Sequence, residues 1–324
     1  MSTQIGRLIN IGYALESERG TAEDSAVLWQ PKIEFDFNPR ADYAVDESGL
    51  GIIDGRSDAK VVEKLSEGSF GGIVHSRSMG FLLAACMGTW STGEVDDSSY
   101  THSFTRLNTN QHPALTLFVD DENSDEKYAL AMLNQLTINA VLKDYVRFSA
   151  GFMSKFPAST SSTPAYTAEN QFLAQHVSVK FAASVAALTE ASDVNLRAIN
   201  LTVNKNVEDW QNLGSNEPAD IVNKTFTVGG DMELLFDDET YRDYWTDGDK
   251  MACQITIENT DDLIGTESHP KLEIVTAPMS FRDWGKNTGQ DDITTQTVAF
   301  DGNFGITATK TISVDLVNAQ SQYV

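Results

Sequence analysis

Apolar and polar residues alternate with a period of two along much of this 324-residue chain. Such alternation is typical of strands buried on one face only. It is clearest over residues 199–204, INLTVN, and over 226–234, where Phe226, Val228, Met232 and Leu234 share one face. Further strands are predicted at 28–37, 114–118, 136–142, 146–152, 177–181, 252–258, 271–275, 297–300 and 311–316.

Helical patterns are few. Residues 76–88 predict a central helix, with Ser76 or Ser78 as the N-cap and Gly88 as a left-handed C-terminal residue. Its apolar residues run almost all the way round, so we expect it to be buried. A second, short helix is predicted at 238–245, and residues 125–133 suit a further helical turn.

The fold class expected from these patterns is mainly β, an antiparallel sandwich or barrel with one central helix. A long charged, Gly-rich loop is predicted over 39–69, and a flexible Ser/Thr-rich connection over 154–168. Residues 133–139 and 196–204 are slightly alike, but too little to predict an internal repeat.

The net charge of the chain makes some classes of binding partner unfavourable. The chain has 47 acidic and 23 basic residues and a formal net charge of -24. Tight binding to nucleic acid or to an anionic membrane needs clustered Lys and Arg, so both are disfavoured. The excess suits a surface that repels anions, and halophilic adaptation gives the same composition.

The two cysteines, Cys86 and Cys253, are expected to be free, buried thiols, because a disulfide scaffold needs more cysteines in a shorter chain. The first residues lack the apolar run of a signal peptide. The longest apolar run, 79–87, is far shorter than the ~20 residues of a membrane span. We therefore expect folding in a cytoplasm.

The sequence motifs of common binding and catalytic sites are each incomplete in this chain. The segment 49–55 spaces its last glycine one residue too far for a dinucleotide loop. The acidic loop 121–125 begins like a calcium loop but has Glu126 and Met132 where Gly and Glu are required, which leaves at most a weak cation site. The five histidines lack metal-ligand spacing, and His102 is expected to be an ordinary hydrogen-bonded histidine. No Gly-x-Ser-x-Gly occurs. No catalytic, cofactor-binding or metal residue is predicted, and the chain is not expected to be an enzyme.

Several short motifs follow one another in an order that is typical of one protein family. The opening segment 11–22, IGYALESERGTA, precedes Phe70-Gly71-Gly72, the helix ending at Gly88, the strand PALTL at 113–117 and LNQLTI at 133–138. This order resembles that of siphophage major tail tube proteins. The later segments 199–206 and 230–234 are similar to the strands that complete that fold, so the resemblance covers most of the chain.

The resemblance implies a structural virion protein of the tail tube type. Six-membered rings would stack into a hollow tube, and sheets of neighbouring subunits would join edge to edge around a conduit for DNA ejection. It also implies tape-measure and tail terminator or tip proteins as partners, transient passage of genomic DNA, and no membrane. The protein would belong to the virion tail and be assembled in the host cytoplasm.

A tail tube subunit would have an N-terminal arm at 1–24 and a β domain at 25–324, with the arm and the 39–69 loop as candidates for contacts between rings. A carboxylate-lined bore would keep DNA from adhering. Asp231, Glu233 and Glu258, on polar faces of strong strands, are the candidates to line it.

Two alternatives remain open. Secretion-system and contractile-tail tube proteins build similar rings from shorter chains. A virion-surface, carbohydrate-binding β-sandwich would use exposed aromatic residues, for which Trp90, Trp210, Trp245 and Trp284 are candidates.

Overall fold

A computed structural model describes residues 5–121 and 123–323. Within them lie two α-helices, α1 (Ser78–Met87) and α2 (Thr240–Asp247), short 3-10 turns at Gly6–Leu8, Ala174–His176 and Val185–Glu190, and nineteen strands. The first ten strands are β1 (Asn10–Leu15), β2 (Leu28–Gln30), β3 (Glu34–Asp46), β4 (Asp58–Ile73), β5 (Gly88–Asp96), β6 (Ser99–Arg106), β7 (Leu115–Asp120), β8 (Asp125–Val141), β9 (Arg147–Ser154) and β10 (Ala158–Ser159). The others are β11 (Val177–Ala182), β12 (Leu196–Asn204), β13 (Val207–Trp210), β14 (Asp220–Asn223), β15 (Thr227–Leu235), β16 (Lys250–Glu258), β17 (Lys271–Asn287), β18 (Thr295–Gly302) and β19 (Ile312–Asn318).

Eight strands form one continuous antiparallel sheet, here called the long sheet. Its order is β3-β4-β9-β8-β12-β15-β18-β17. The sheet is open, because β3 and the C-terminal half of β17 are its two outermost strands and do not pair with each other within the described residues. An open sheet leaves two edges with unpaired backbone groups.

Two smaller sheets cover one face of the long sheet. The N-terminal cover sheet has the order β2-β1-β7-β8-β10. The C-terminal cover sheet has the order β11-β16-β17-β19-β6-β5. β8 and β17 belong both to a cover sheet and to the long sheet, and a register shift in each marks the bend.

The core fills the space between these layers. Tyr13 of the N-terminal cover sheet stacks on Phe70 of the long sheet, with ring centroids 6.3 Å apart. On the other side, Ile274 and Val314 face Leu136 and Leu201 across a small internal cavity. Burial of each such side chain contributes roughly 1.5–3 kcal/mol. The predicted mainly-β, antiparallel, sandwich-like fold is confirmed.

Helix α1 is buried at all ten positions and contacts both cover sheets. Its last carbonyl groups have no water to bind, so each needs a donor from the protein. Gly88, with a φ of 87°, donates its N–H to Ala84, and the Lys205 ammonium donates to the Ala85 carbonyl oxygen at 2.8 Å. His112 Nδ1 lies 3.2 Å from the Cys86 oxygen, and the Leu107 N–H donates to Met87. The predicted helix and its glycine cap are confirmed.

The N-terminal end of α1 differs from the prediction. Neither Ser76 nor Ser78 caps it. The Glu169 carboxylate, from the connection between β10 and β11, instead accepts the backbone N–H groups of Arg77 and Ser78 at 3.0 and 2.8 Å. A carboxylate suits the positive end of a helix. No local sequence pattern indicates a cap supplied from so far along the chain.

Most predicted strands lie within observed ones, and the helix predicted at 238–245 is confirmed as α2. The helical turn predicted at 125–133 is wrong, because those residues begin β8. Residues 130–133 are all buried where β8 crosses between sheets, so their pattern does not alternate.

The predicted loop at 39–69 is also wrong. Most of it belongs to the hairpin of β3 and β4, and only residues 47–57 connect the strands. The outer part of this hairpin is exposed on both faces, so its sequence has no apolar stripe.

The predicted N-terminal arm and the predicted Ser/Thr-rich connection each contain a strand. Within the predicted N-terminal arm, residues 10–15 instead form β1, in which Ile11 and Tyr13 are fully buried. Residues 1–4 lie outside the described residues. The Ser/Thr-rich segment 154–168 is largely irregular, but its β10 pairs with β8. Both cysteines are free and buried, as predicted.

Candidate functional site

The uncovered face of the long sheet, here called the polar face, carries small polar side chains across all eight strands. One cross-strand row reads Glu34, Gly71, Ser149, Thr137, Thr202, Gly229, Asp301 and Ser280. Alternate residues of a strand point to opposite faces. Since their sequence neighbours fill the core, these residues point outward to solvent. This row holds no large apolar side chain, and a hydrated surface follows along it.

The charges on the polar face are mostly negative. Its carboxylates are Glu34, Asp36, Glu67, Asp231, Glu233, Asp283 and Asp301. The arginines on or beside it each lie close to a carboxylate, in the pairs Arg40–Glu67 at 2.9 Å, Arg147–Asp144 at 3.0 Å, Arg197–Glu233 at 3.4 Å and Arg282–Asp301 at 3.3 Å. Exposed ion pairs contribute little stability. Their effect here is to neutralise the cations while an excess of negative charge remains.

Two of the predicted acidic residues, Asp231 and Glu233, lie on the polar face. Both are on β15, whose alternate residues Met232 and Leu234 are buried in the core. Asn200 of β12 donates its side-chain amide to Asp231 at 3.2 Å. The structure therefore places these two carboxylates side by side on one surface.

Glu258 lies elsewhere. It is on β16, in register with Lys271, on the outer face of the C-terminal cover sheet. Lys271 also pairs with Glu273 at 2.7 Å. The outer faces of a sandwich point in opposite directions, so Glu258 cannot line the same surface as Asp231 and Glu233. The structure therefore brings Asp231 and Glu233 together but not Glu258, because an alternating strand does not reveal which sheet it joins.

The two edges of the long sheet are the second feature of the site. In the strand registers of the described residues, β3 pairs with β4 alone, and residues 282–287 of β17 pair with β18 alone. At the β17 edge, Trp245 of α2 donates its indole N–H to the Arg282 carbonyl at 3.1 Å. Long unprotected edges are templates for strand addition.

A protruding arm extends from the β3 edge. It consists of residues 40–64, the outer part of the β3–β4 hairpin. Three large apolar side chains near its tip, Leu50, Ile52 and Ile53, are 66%, 60% and 105% exposed. Its base contacts the β13–β14 hairpin, where Gln211 donates its side-chain amide to the Val62 carbonyl at 3.1 Å. An apolar tip on a charged arm is typical of a surface that another molecule covers.

The structure shows the surroundings of the residues considered for metal binding or catalysis. Within residues 5–121 and 123–323, no group of three or more His, Cys, Asp or Glu side chains is arranged to hold a metal ion. His102 is buried and hydrogen-bonded to Thr92 at 2.8 Å and to the Gln320 carbonyl, as predicted for an ordinary structural histidine. In the acidic loop, Asp121 accepts the N–H groups of Asn123 and Ser124, and Glu122 lies outside the described residues.

The four tryptophans considered for a sugar platform lie on four separate elements. Trp90 of β5 and Trp284 of β17 pack against the core, whereas Trp210 of β13 is 64% exposed and Trp245 of α2 is 38% exposed. A sugar platform needs aromatic faces gathered on one concave surface, and this distribution does not favour it.

Neither helix in the part of the chain that the structure describes has the length and apolar character needed to cross a bilayer. The comparison with curated proteins found no match. A family model described as phage tail tube protein matches residues 6–302.

Proposed function

The chain belongs to the phage tail tube protein family, and from this premise we propose that it forms stacked rings around a conduit for DNA ejection. It is accordingly a structural component of the virion tail. Each ring is proposed to be six-membered, with six equivalent positions around the tube axis, as the resemblance to siphophage tail tubes implies.

The open long sheet is the observation that carries this proposal. It has a face that carries mainly small polar and charged side chains, and an unpaired strand at each side. If sheets of neighbouring subunits join at these edges, the joined sheets enclose a hole and the edges disappear. A contact between two different edges repeats around a rotation axis and closes a ring.

In the proposed ring, the polar face lines the bore. The long sheet has strands from both halves of the chain and one unpaired strand at each side, so copies joined at these edges would form a continuous wall. Asp231 and Glu233 then face the conduit, and Glu258 faces the outside of the tube or a neighbouring ring. The cover sheets form the outer layer.

The chemistry of the polar face suits passage of DNA. Duplex DNA has one negative charge per ~1.7 Å of its axis, and proteins that hold it neutralise phosphates with Lys and Arg. Here the arginines are already paired with carboxylates. The remaining carboxylates repel phosphates over a Debye length of ~8 Å at physiological salt. DNA would therefore pass without adhering.

The arm at residues 40–64 and the N-terminal residues are proposed to contact the ring above or below. The exposed Leu50, Ile52 and Ile53 would then be covered. Tape-measure protein inside the tube and terminator or tip proteins at its ends are the proposed partners, and assembly is proposed to occur in the host cytoplasm.

The experiment is negative-stain microscopy of the purified chain over a range of concentrations. Rings or tubes with a central hole are the expected result. A chain that stays monomeric at high concentration, and that is not incorporated into tails when supplied to a phage lacking its own tube protein, would contradict the proposal.

A further inference from the structure

The long sheet consists of two halves with the same strand order. The first half is β3-β4-β9-β8 and the second is β12-β15-β18-β17. Apart from the β5–β6 hairpin in the first half and the β13–β14 hairpin in the second, each half has the same order of elements: two strands of the long sheet, a helix, a strand of a cover sheet, a 17-residue strand that crosses into the long sheet, and an eight-residue strand. We call residues 10–159 unit 1 and residues 177–318 unit 2, and each unit contributes strands to the long sheet and to the cover sheets.

The registers of the two units agree residue by residue. In unit 1, Leu133 pairs with Phe152, a register shift follows, and Gln135 pairs with Gly151. In unit 2, Phe281 pairs with Phe300, a shift follows, and Asp283 pairs with Ala299. The bulge therefore lies at the same place in both units. Bulges are specific features of a fold, so this agreement indicates one structural plan used twice.

Two glycines give independent support. A Cβ added to Gly68 would lie 1.9 Å from the Asp36 carbonyl oxygen, and one added to Gly230 would lie 2.1 Å from the Asn200 carbonyl oxygen. The strand registers make Gly68 equivalent to Gly230 and Asp36 equivalent to Asn200. The same close backbone approach thus occurs at the same place in each unit.

The cover sheets repeat as well. β1 pairs with β7 over six residues in unit 1, and β11 pairs with β16 over six residues in unit 2. Both helices end at a left-handed glycine, Gly88 or Gly248. The β5–β6 hairpin occurs in unit 1 alone among the described residues, and it pairs with β19 of unit 2.

One pair of strands joins the two units within the chain, and the equivalent pair could form between two copies of the chain. In the order of the long sheet, β8 is the last strand of unit 1 and β12 is the first strand of unit 2, and the two pair through seven residues from Gln135–Asn204 to Val141–Ala198. The equivalent of β8 in unit 2 is β17, and the equivalent of β12 in unit 1 is β3. These are the two free edges of the long sheet.

We propose that β17 of one chain pairs with β3 of the next copy in the same register in which β8 pairs with β12. This inference rests on the proposed tube function and names the surfaces that close its ring. Each chain then supplies two tube units, so a ring of six units contains three chains instead of six.

The predicted register can be stated from the equivalent positions. The intrachain pairs Thr202–Thr137 and Asn204–Gln135 correspond to Asn38–Gly285 and Arg40–Asp283 between copies. The second of these sets a guanidinium opposite a carboxylate, which favours this register. All four positions lie on the polar face, so the bore surface continues across the junction.

A backbone contact at the junction follows the same pattern. In unit 1, the Asn134 carbonyl at the bulge accepts the Lys205 N–H from unit 2 at 2.8 Å. Its equivalent in unit 2, the Arg282 carbonyl, accepts the Trp245 indole N–H. Trp245 therefore occupies, in the isolated chain, a place that the next copy would take.

The number of strands sets the width of the tube. Three chains with eight strands each, spaced ~4.8 Å apart, give a wall ~37 Å across before strand tilt, and six chains give ~73 Å. A tilt of ~40° widens the first figure to ~48 Å.

Engineered disulfides test the pairing. Asn38→Cys/Gly285→Cys places two thiols directly opposite each other only between copies, at the Cβ separation of ~4.5–5.5 Å of facing residues. Within one chain these positions are seven strand spacings apart, ~34 Å, far beyond the reach of a disulfide. Thr137→Cys/Thr202→Cys is the matched control, because it joins the equivalent positions inside one chain. Asn38→Cys/Lys286→Cys is a one-residue slip that puts the thiols on opposite faces.

Tubes are assembled, oxidised and run on a denaturing gel without reductant. We expect Asn38→Cys/Gly285→Cys to give covalent species of up to three chains, the control to give an internal disulfide only, and the slip variant to give neither. Tubes without intermolecular disulfides in the first variant would overturn the pairing and leave the tube function standing. Covalent species of six chains would overturn the three-chain ring. Absence of tubes from the unmodified chain as well would contradict the tube function itself.

Discussion

The ammonium group of Lys205 donates a 2.8 Å hydrogen bond to the carbonyl oxygen of Ala85, so unit 2 closes the end of the helix in unit 1. Lys205 is fully buried, and its position directly follows β12, the strand that joins the units. The negative end of a helix favours a cation, which offsets part of the cost of burying one. The contact makes the two units interdependent.

The free energy of unfolding should depend on pH through Lys205. Burial lowers the pKa of Lys205 from 10.5 to about 7 in the folded chain. Between these two pH values the unfolded chain retains a proton that the folded chain has lost, so this group makes the free energy of unfolding rise with pH in that range. Lys205→Met should remove this rise. Urea unfolding of the unassembled chain at several pH values between 6.5 and 10 measures it.

Lys60→Met is the control for this prediction, because Lys60 lies on the exposed arm, where its ammonium group pairs with Asp58. Its pH dependence should match that of the unmodified chain. Equal slopes for Lys205→Met and the unmodified chain would show that Lys205 does not lose its proton in this range.

The second prediction concerns the paired glycines. Gly68→Ala and Gly230→Ala should each lower the free energy of unfolding by roughly 2–4 kcal/mol, because the added methyl group meets a backbone oxygen that cannot move without breaking a strand pair. Gly93→Ala, on the exposed strand β5, meets no atom within 4 Å and serves as the control. Denaturant unfolding decides the matter, and a loss in only one of the two units would contradict their equivalence.

The third prediction concerns Tyr323. Its ring packs against Phe81 with centroids 4.9 Å apart, and its hydroxyl donates to the Arg77 carbonyl at 2.9 Å. Tyr323→Ala should cost about 3–5 kcal/mol by opening a cavity beside α1, whereas Tyr323→Phe should cost only about 1 kcal/mol for the lost hydrogen bond. Thermal unfolding distinguishes them. Tyr166→Ala, at a site that is 51% exposed, should change little, and comparable losses at both tyrosines would exclude the packing explanation.

Much of the fold could be predicted from the sequence because a strand with one buried face alternates. Segments such as 199–204 and the helix ending at Gly88 follow such local rules. The β3–β4 arm could not be predicted, since neither of its faces is buried within the chain. Nor could residues 130–133, since both faces of β8 are buried there.

The internal repeat was missed for a related reason. Equivalent core positions of the two units are both buried but hold different residue types. Phe37 is equivalent to Leu201, and Phe70 to Met232. Equivalent polar positions differ in charge, as Ser69 and Asp231 do. The repeat is visible only when the strand pairings of the two units are compared, and strand pairings cannot be read from a single sequence. The same limit explains Glu258, whose alternating strand fits either outer face of the sandwich.

The last prediction separates the bore from the outer surface. Asp231→Lys/Glu233→Lys adds cations to the polar face, where they would attract DNA phosphates, so tails should assemble normally but eject DNA more slowly. The delay should shrink as salt rises, because screening weakens this attraction. Glu258→Lys adds a cation to the outer face of the C-terminal cover sheet and should leave ejection unchanged at every salt concentration. The rate of DNA release from receptor-triggered virions measures both. Equal delays in the two variants, or a delay in Glu258→Lys alone, would mean that the polar face does not line the conduit.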